Sequence, residues 1–529
     1  AARSAENGDD PRLTAIRTGQ SAATAAQGAM SDSSLIKAKV SLTAGTSSQD
    51  SRYHSTDTQG TTINAGENVS VRAGNDIAGM GVQIAGKHVA LDAGRDILLS
   101  SSQNTTHSES KNSGSQFSVG VGVSLIGAQN GISVELGASQ HKGKENSQSQ
   151  RNTNSVVHAD EQLTVNSGRD TTLKGAELEG NRVVVNTGRD LTISSVQDTA
   201  SYDSRQSSSG ASLSLCIPPL CYGASSGSVS ASGENITQNG KSVAEQSGIF
   251  AGKGGFAVTT GNHTQLDGAV IVSTASADKN SLDTGTLGFS DIHNEADFKT
   301  QHAGGSFNSG GSIAGQFASN AASTLLAGGG SKGHAEGTSQ AAISDGSVTI
   351  RDKASQKQDV ADLSRDTAHA NDSISPIFDK EKEQNRLKAV GLISDIAGQA
   401  ADVARSQGEL AGRKAAKDPA SLEEARQQLA VEGKAVTDAS VEQRAYNNAS
   451  SLYGTGGAVQ RGIQAATGAL TVLAGGGDLA GALAAASAPE LANIIGHHSG
   501  LSDNDALIAH ALLGGVVALL PVYAHEVLQ

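Results

Sequence analysis

Four aspartates return beside a glycine in this chain, in Ala73-Gly74-Asn75-Asp76, Ala93-Gly94-Arg95-Asp96, Ser167-Gly168-Arg169-Asp170 and Thr187-Gly188-Arg189-Asp190. Carboxylates gathered at one groove beside a basic residue would cleave polysaccharide by acid–base chemistry, or would hold calcium. A reaction centre breaks a repeat, whereas here each copy carries the same group. Gly74, Asp76, Gly94, Asp96, Gly168, Asp170, Gly188 and Asp190 therefore read as turn residues. Stacked aspartates would form a calcium ladder, but the Gly-rich nonapeptide of calcium β-rolls is absent. His497-His498 is the one histidine pair, and neighbours in sequence do not face each other on a helix. Ser207-Ser208-Ser209 has no partnered base and reads as linker or turn. No catalytic, cofactor or metal set emerges, and the chain reads as a non-enzyme.

Cys216 and Cys221 are the only cysteines, in Cys216-Ile217-Pro218-Pro219-Leu220-Cys221. Zinc would need further Cys or His at set spacing. A small disulfide loop at a hairpin tip fits, since the two prolines favour a bend, and it implies an oxidising compartment. Two free thiols are the alternative.

The elements that carry these residues follow from the repeats. Gly74 and Gly94 stand 20 residues apart, as do Gly168 and Gly188, and a weaker copy follows at Gly261. Gly74 to Gly168 is 94 residues and Gly168 to Gly261 is 93, so a short period sits inside a long one. Val82, Ile84, Gly86, Val89 and Leu91 return as Ala176, Leu178, Gly180, Val183 and Val185. Alternation in Val183/Val185 and Leu191/Ile193 is the period of a strand with one buried face. Glycine supplies a conformation that a Cβ would resist, and the adjoining Asn or Asp bonds its own backbone. One coil buries too little to survive alone, so coils must stack into a parallel β-helix from about residue 65 to 350.

Between the coil pairs, Phe117, Val119, Val121 and Val123 alternate with Ser and Gly, Gln129-Asn130-Gly131 turns, and Ile132, Val134 and Leu136 return. Counterparts run from Leu213 through the cysteine loop to Val229, and from Ser306 to Phe317. These are hairpin excursions that project from the shaft or continue along it, and Val40-Ser41-Leu42 is the returning arm of an earlier copy. The reading divides the chain into a lead-in at 1–38 with a short Ala-rich helix at 11–30, repeats at 39–352, a polar connector at 353–377 and a helical segment at 378–529. Helices are expected from Phe378, over 419–431 and over 440–453.

Net charge is −14, which disfavours binding to a phosphate backbone, so nucleic acid is not an expected partner. With aromatics at 3% and no Trp, the core must come from short Val, Ile, Leu and Ala runs. Residues 506–523 form an 18-residue apolar run broken by His510 and Pro521. Leu507, Ile508, Leu512, Leu513, Val516, Val517, Leu519 and Leu520 would contact membrane if it enters lipid. A buried hairpin of an Ala-rich bundle is the other reading, and the two interruptions weigh toward it. The chain begins with Ala1 and shows no charged leader before an apolar stretch, so it reads as an interior fragment.

The Gly-Arg-Asp coils, the run from Leu282-Asp283-Thr284-Gly285 to Phe289-Ser290-Asp291-Ile292, and the order Gln356-Lys357-Gln358-Asp359, Leu363-Ser364-Arg365-Asp366-Thr367, Ile377-Phe378-Asp379-Lys380-Glu381 carry a family likeness. They resemble the C-terminal hemagglutinin-repeat region of filamentous-hemagglutinin-like exoproteins of two-partner secretion, nearest the contact-dependent growth inhibition effectors. The likeness covers nearly the whole chain. It implies a secreted, cell-surface filament exported through an outer-membrane partner, with a helical pretoxin segment before a variable C-terminal toxin. It also implies that the repeat region associates with the target cell's outer membrane during toxin delivery. Residues 507–518 resemble the start of the pretoxin helices, while the Val-Glu-Asn-Asn junction and a secretion domain are absent. The expected role is a filament and delivery segment; an adhesin shaft attaching to host or bacterial cells is the alternative.

Overall fold

The computed structural model describes residues 37–124, 129–223, 225–309, 329–454, 457–474 and 486. The expected lead-in helix, the distal turn of the third hairpin and the 506–523 run lie outside them.

The chain is mainly β. After β1 (Lys37–Thr56), a first coil holds β2 (Thr62–Asn64), β3 (Asn68–Ala73) and β4 (Ile77–Met80), and a second holds β5 (Gln83–Ala93) and β6 (Ile97–Ser100). A hairpin of β7 (Ser102–Ser124) and β8 (Gln129–Thr153) leads to coils of β9 (Ser155–Ser167) with β10 (Thr171–Lys174), and β11 (Ala176–Thr187) with β12 (Asp190–Ser194). A second hairpin, β13 (Asp198–Gly223) and β14 (Ser226–Ser242), precedes β15 (Gly248–Asp267), then β16 (Val270–Ser273) and β17 (Ser281–Ser290). The third, β18 (Ile292–Ser309) and β19 (Gly329–Ser339), precedes a last coil of β20 (Ala342–Ile343) and β21 (Ser347–Ile350).

The coils stack in parallel register into one curled sheet of 14 strands, consistent with a parallel β-helix. Each coil gives one residue to a column inside it. One column runs Ile63, Ile84, Val157, Leu178, Ile249, Ile271, Ile343, and a second runs Val71, Leu91, Val165, Val185, Val258, Leu282, Val348. The middle members of both columns are solvent-free. Burial of each such side chain stabilises by about 1.5–3 kcal/mol, but only once its neighbouring coil is in place. Six steps of about 4.8 Å make the shaft roughly 30 Å long. At the corner beside the glycine turns the interior is lined by hydroxyls bonded to one another: Thr171 Oγ1 meets Ser167 Oγ at 2.8 Å and Thr187 Oγ1 at 2.9 Å.

The excursions project from the shaft rather than continuing along it, and they pair with one another. They lie side by side in an antiparallel sheet of order β1-β7-β8-β13-β14-β18-β19. This accounts for the long period. Two coils advance the shaft by two strand spacings and one hairpin advances the lateral sheet by the same two, so both grow at an equal pitch. Strands such as β8, 25 residues long, carry that sheet roughly 80 Å outward.

After the last coil, residues 351–379 wrap the shaft's end, where Gln356 and Gln358 side chains bond the backbone of Leu287 and Phe289 in place of a further strand. Among the described residues four helices follow: α1 (Lys380–Ala415), α2 (Pro419–Val431), α3 (Asp438–Ser450) and α4 (Ala458–Ala474). Asp379, Asp418 and Thr437 cap the first three through their side chains.

Candidate functional site

The recurrent Gly-Arg-Asp residues form a ladder on the shaft's edge. Arg95 grips Asp76 of the coil before it, Arg169 grips Asp96, and Arg189 grips Asp170, with Nε–Oδ1 distances of 3.0, 3.1 and 2.8 Å. The same oxygens accept the backbone N–H of the next aspartate at 3.2 Å. Asn262 continues the series to Asp190 at 2.7 Å. Hydrogen bonds from these guanidiniums hold Asp76, Asp96 and Asp170 below the ordinary carboxylate pKa. The aspartates thus bond across coils rather than to their own backbone, and their oxygens are committed to arginine.

The glycines act sterically as well. A Cβ on Gly94, Gly168, Gly188 or Gly261 would lie 2.0–2.2 Å from the carbonyl oxygen of the glycine one coil below. None of these four adopts a positive φ. That conformation belongs to Gly81, Gly175 and Gly268, at the corner where each second coil meets the next.

The lateral sheet carries the surface that needs explaining. Directly paired residues share a face, so the register assembles transverse rows. One row is Ala44, Phe117, Ala138, Ala211, Val229; the next is Leu42, Val119, Leu136, Leu213; then Val40, Val121, Val134, Leu215; then Val123 with Ile132. Leu42 is 83% exposed, Val40 77% and Phe117 52%. Scattered exposed apolar residues are ordinary, but a contiguous apolar face is not. Its four rows span about 20 Å along the strands. On the reverse face the same stretches offer Ser118, Gly120 and Gly122, Ser133, Glu135 and Gly137, Ser212 and Ser214. Towards the shaft the apolar face gives way to charge: Glu109 faces Arg52, and its ion pair with Lys111 at 2.8 Å lowers its pKa.

Cys216 and Cys221 are disulfide-bonded at the far end of this sheet. They close a bulge inside β13 rather than the tip of its hairpin, Cys216 pairing with Ser133 and Cys221 with Gly131. The bulge exposes Ile217 and Leu220.

The reverse face, nearer the shaft, receives α1. Phe378 stacks on Tyr202 and Phe298 at centroid distances of 5.4 and 5.8 Å, and Leu387 packs with Tyr202 and Ile236. Glu383 is buried and accepts from Ser331 Oγ at 2.7 Å and Arg386 Nη1 at 3.0 Å. Partial burial works against the charge of Lys380, but the hydrogen bonds and attraction of Glu145 and Tyr202 together outweigh it and raise its pKa.

Leu507, Ile508, Leu512, Leu513, Val516, Val517, Leu519 and Leu520 lie outside the described residues. Among the described residues no helix is long and apolar enough to cross a membrane, which says nothing of strands. The apolar rim is therefore a strand surface that helix-centred reasoning overlooks. Its signal was present as Val, Leu and Phe alternating with Ser and Gly at matching offsets in successive hairpins.

A hemagglutinin repeat family model matches residues 42–211. The tRNA nuclease CdiA of Escherichia coli O6:K15:H31 (strain 536 / UPEC) is 48% identical over 530 residues, 96% of this chain and 16% of that protein. The 16S rRNA endonuclease CdiA of Enterobacter cloacae subsp. cloacae is 49% identical over 540 residues, 98% of this chain and 16% of that protein. The deoxyribonuclease CdiA of Yersinia pseudotuberculosis serotype O:3 (strain YPIII) is 43% identical over 486 residues, 88% of this chain and 44% of that protein. The chain thus spans less than half the length of these curated relatives, and no solved structure matches it. With stacked coils, hairpins at matching intervals and these likenesses together, the chain belongs to the filamentous-hemagglutinin-like exoproteins of the contact-dependent growth inhibition type.

Proposed function

We propose that this segment is the non-catalytic filament and delivery part of a secreted cell-surface exoprotein, and that the apolar rim of its lateral sheet meets the outer membrane of a target cell. The shaft fixes spacing, and the hairpins place an apolar surface far from it. The observation that carries the reading is the contiguous exposed face of four apolar rows. A height of about 20 Å approaches the ~25 Å apolar band of outer-membrane barrels, whose strands likewise alternate apolar and polar residues. Export through an outer-membrane partner and carriage of a C-terminal toxin belong to the same proposal.

The relatives bear names of three different nuclease activities, yet each is 43–49% identical to this chain along nearly all its length. A shared region of that kind supports a common delivery role and leaves the nuclease chemistry to other parts of those proteins.

Flotation with liposomes of outer-membrane lipids tests the rim. The unsubstituted chain should float, and Val121→Asp combined with Leu213→Asp should reduce the floated fraction at least tenfold, because an aspartate at the centre of a bilayer costs about 2.5–3.5 kcal/mol on insertion scales. Ser118→Asp with Ser212→Asp, on the reverse face, should float as before. A chain that never floats, or one indifferent to the face substituted, would favour a protein-binding adhesin shaft instead.

A further inference from the structure

Between the apolar rim and the shaft, the rim's own face of the lateral sheet carries a band of positive charge. The register sets Lys111 of β7, Lys144 of β8 and Arg205 of β13 side by side in one transverse row. Lys142 stands one row nearer the rim on the same face, opposite Ser113 and Ser207. All four side chains are exposed, and like charges placed directly opposite destabilise a sheet. Nearby carboxylates offset part of this: Glu109 lies 2.8 Å from Lys111 and 3.9 Å from Lys144, and Asp203 lies 3.5 Å from Arg205. Lys142 forms no ion pair among the described residues. With Arg52 and Asp50, which pair at 3.5 Å, the band holds five cations against three carboxylates. Toward β18 and β19 the charges balance, since Lys241, Lys299 and Lys332 stand among Glu295, Asp297 and Glu336. The excess is local to β7, β8 and β13, in a chain whose net charge is −14.

Position decides which anion can reach the band. Lys142 lies about 14 Å shaftward of Ala138 in the innermost apolar row, and Lys111 lies about 20 Å from Phe117. An uncharged row of Thr46, Ser115, Gln140 and Ser209 fills the gap. With the rim in hydrocarbon, a phospholipid headgroup layer extends only about 5–8 Å beyond it and stops short of the lysines. Phosphates carried farther out, on the sugars of a glycolipid, do reach them. Beyond the band lies a groove of about 1000 Å³ whose lining includes Gln148, Gln150, Thr199, Ser201 and Asn239, uncharged donors and acceptors suited to sugar hydroxyls. We propose that Lys111, Lys142, Lys144 and Arg205 bind the phosphorylated sugars of lipopolysaccharide, in the same outer leaflet whose lipid meets the rim. This rests on the reading of the rim as the lipid-facing surface and names the partner that stands beside it.

Calorimetric titration of the full chain with lipid-free, phosphorylated core oligosaccharide released from lipopolysaccharide tests this without a membrane. The unsubstituted chain should bind it, and the same oligosaccharide stripped of phosphate should bind at least tenfold more weakly. Lys142→Gln, Lys144→Gln and Arg205→Gln together should weaken binding of the phosphorylated form at least tenfold, with strand content by circular dichroism unchanged. Lys174→Gln, Lys253→Gln and Lys353→Gln, which remove the same charge from exposed sites outside the lateral sheet, should leave it unaltered. No binding by the unsubstituted chain, equal affinity for the dephosphorylated sugar, or equal losses in the two triple variants overturns the proposal. Oligosaccharide binding by a chain that never floats with liposomes would instead keep the band and remove the lipid-facing rim. The band variant should also float with phosphatidylglycerol vesicles as the unsubstituted chain does; a loss there would put phospholipid on the band and overturn the assignment to sugar.

Discussion

Gly168 sits where two turns of backbone nearly touch, its α-carbon hydrogen facing the Gly94 carbonyl. A methyl there would lie 2.2 Å from that oxygen, and backbone cannot swing aside as a side chain does. Gly168→Ala should therefore destabilise by about 1–3 kcal/mol, the usual cost of overpacking, read as a lower midpoint in urea denaturation. Gly74→Ala, whose added methyl meets nothing within 4 Å, serves as the matched control and should shift the midpoint far less. The recurrence of Gly74, Gly94, Gly168 and Gly188 marked the turns in the sequence, but not their reason. Glycine reads as conformational freedom, and only stacking shows that room for the next coil decides these positions. The Arg-Asp ladder escaped for a similar reason: residues 19 or 73 apart meet, and no local window contains both.

Elements show the same division between local pattern and distant pairing. Alternating Val and Leu in the coils gave strands with one buried face, and the columns fill that face as expected. The 419–431 helix and the start of the helical run near Phe378 were also legible, the latter from a charged face beside apolar spacing, and Asp379 and Asp418 cap them. What sequence left open was where the hairpins go, because a hairpin states its own turn but not its neighbours. Their lateral pairing creates both the apolar rim and the surface that receives α1. That docking rests on Glu383, buried with Arg386 against Thr300 and Ser331. Removing Arg386 leaves a buried carboxylate with hydroxyl partners alone, at a cost of about 1–3 kcal/mol. Arg386→Ala should accordingly speed hydrogen exchange of the first turns of α1 while leaving β9 and β11 protected.

At the scale of the molecule, two sheets of unlike character grow together. The shaft is apolar inside and paired along its edge, so it is self-sufficient once stacked. The lateral sheet is apolar outside at its far end, which water does not favour, and that asymmetry underlies the proposed meeting with lipid. Single labels placed one at a time from residue 117 to residue 123 of β7, in a chain whose two cysteines are replaced by serine, would test this most directly through quenching by lipid-borne nitroxides. The account predicts an alternating pattern, with Phe117, Val119, Val121 and Val123 quenched and Ser118, Gly120 and Gly122 spared. Uniform quenching, or none in the presence of bound membrane, would contradict it.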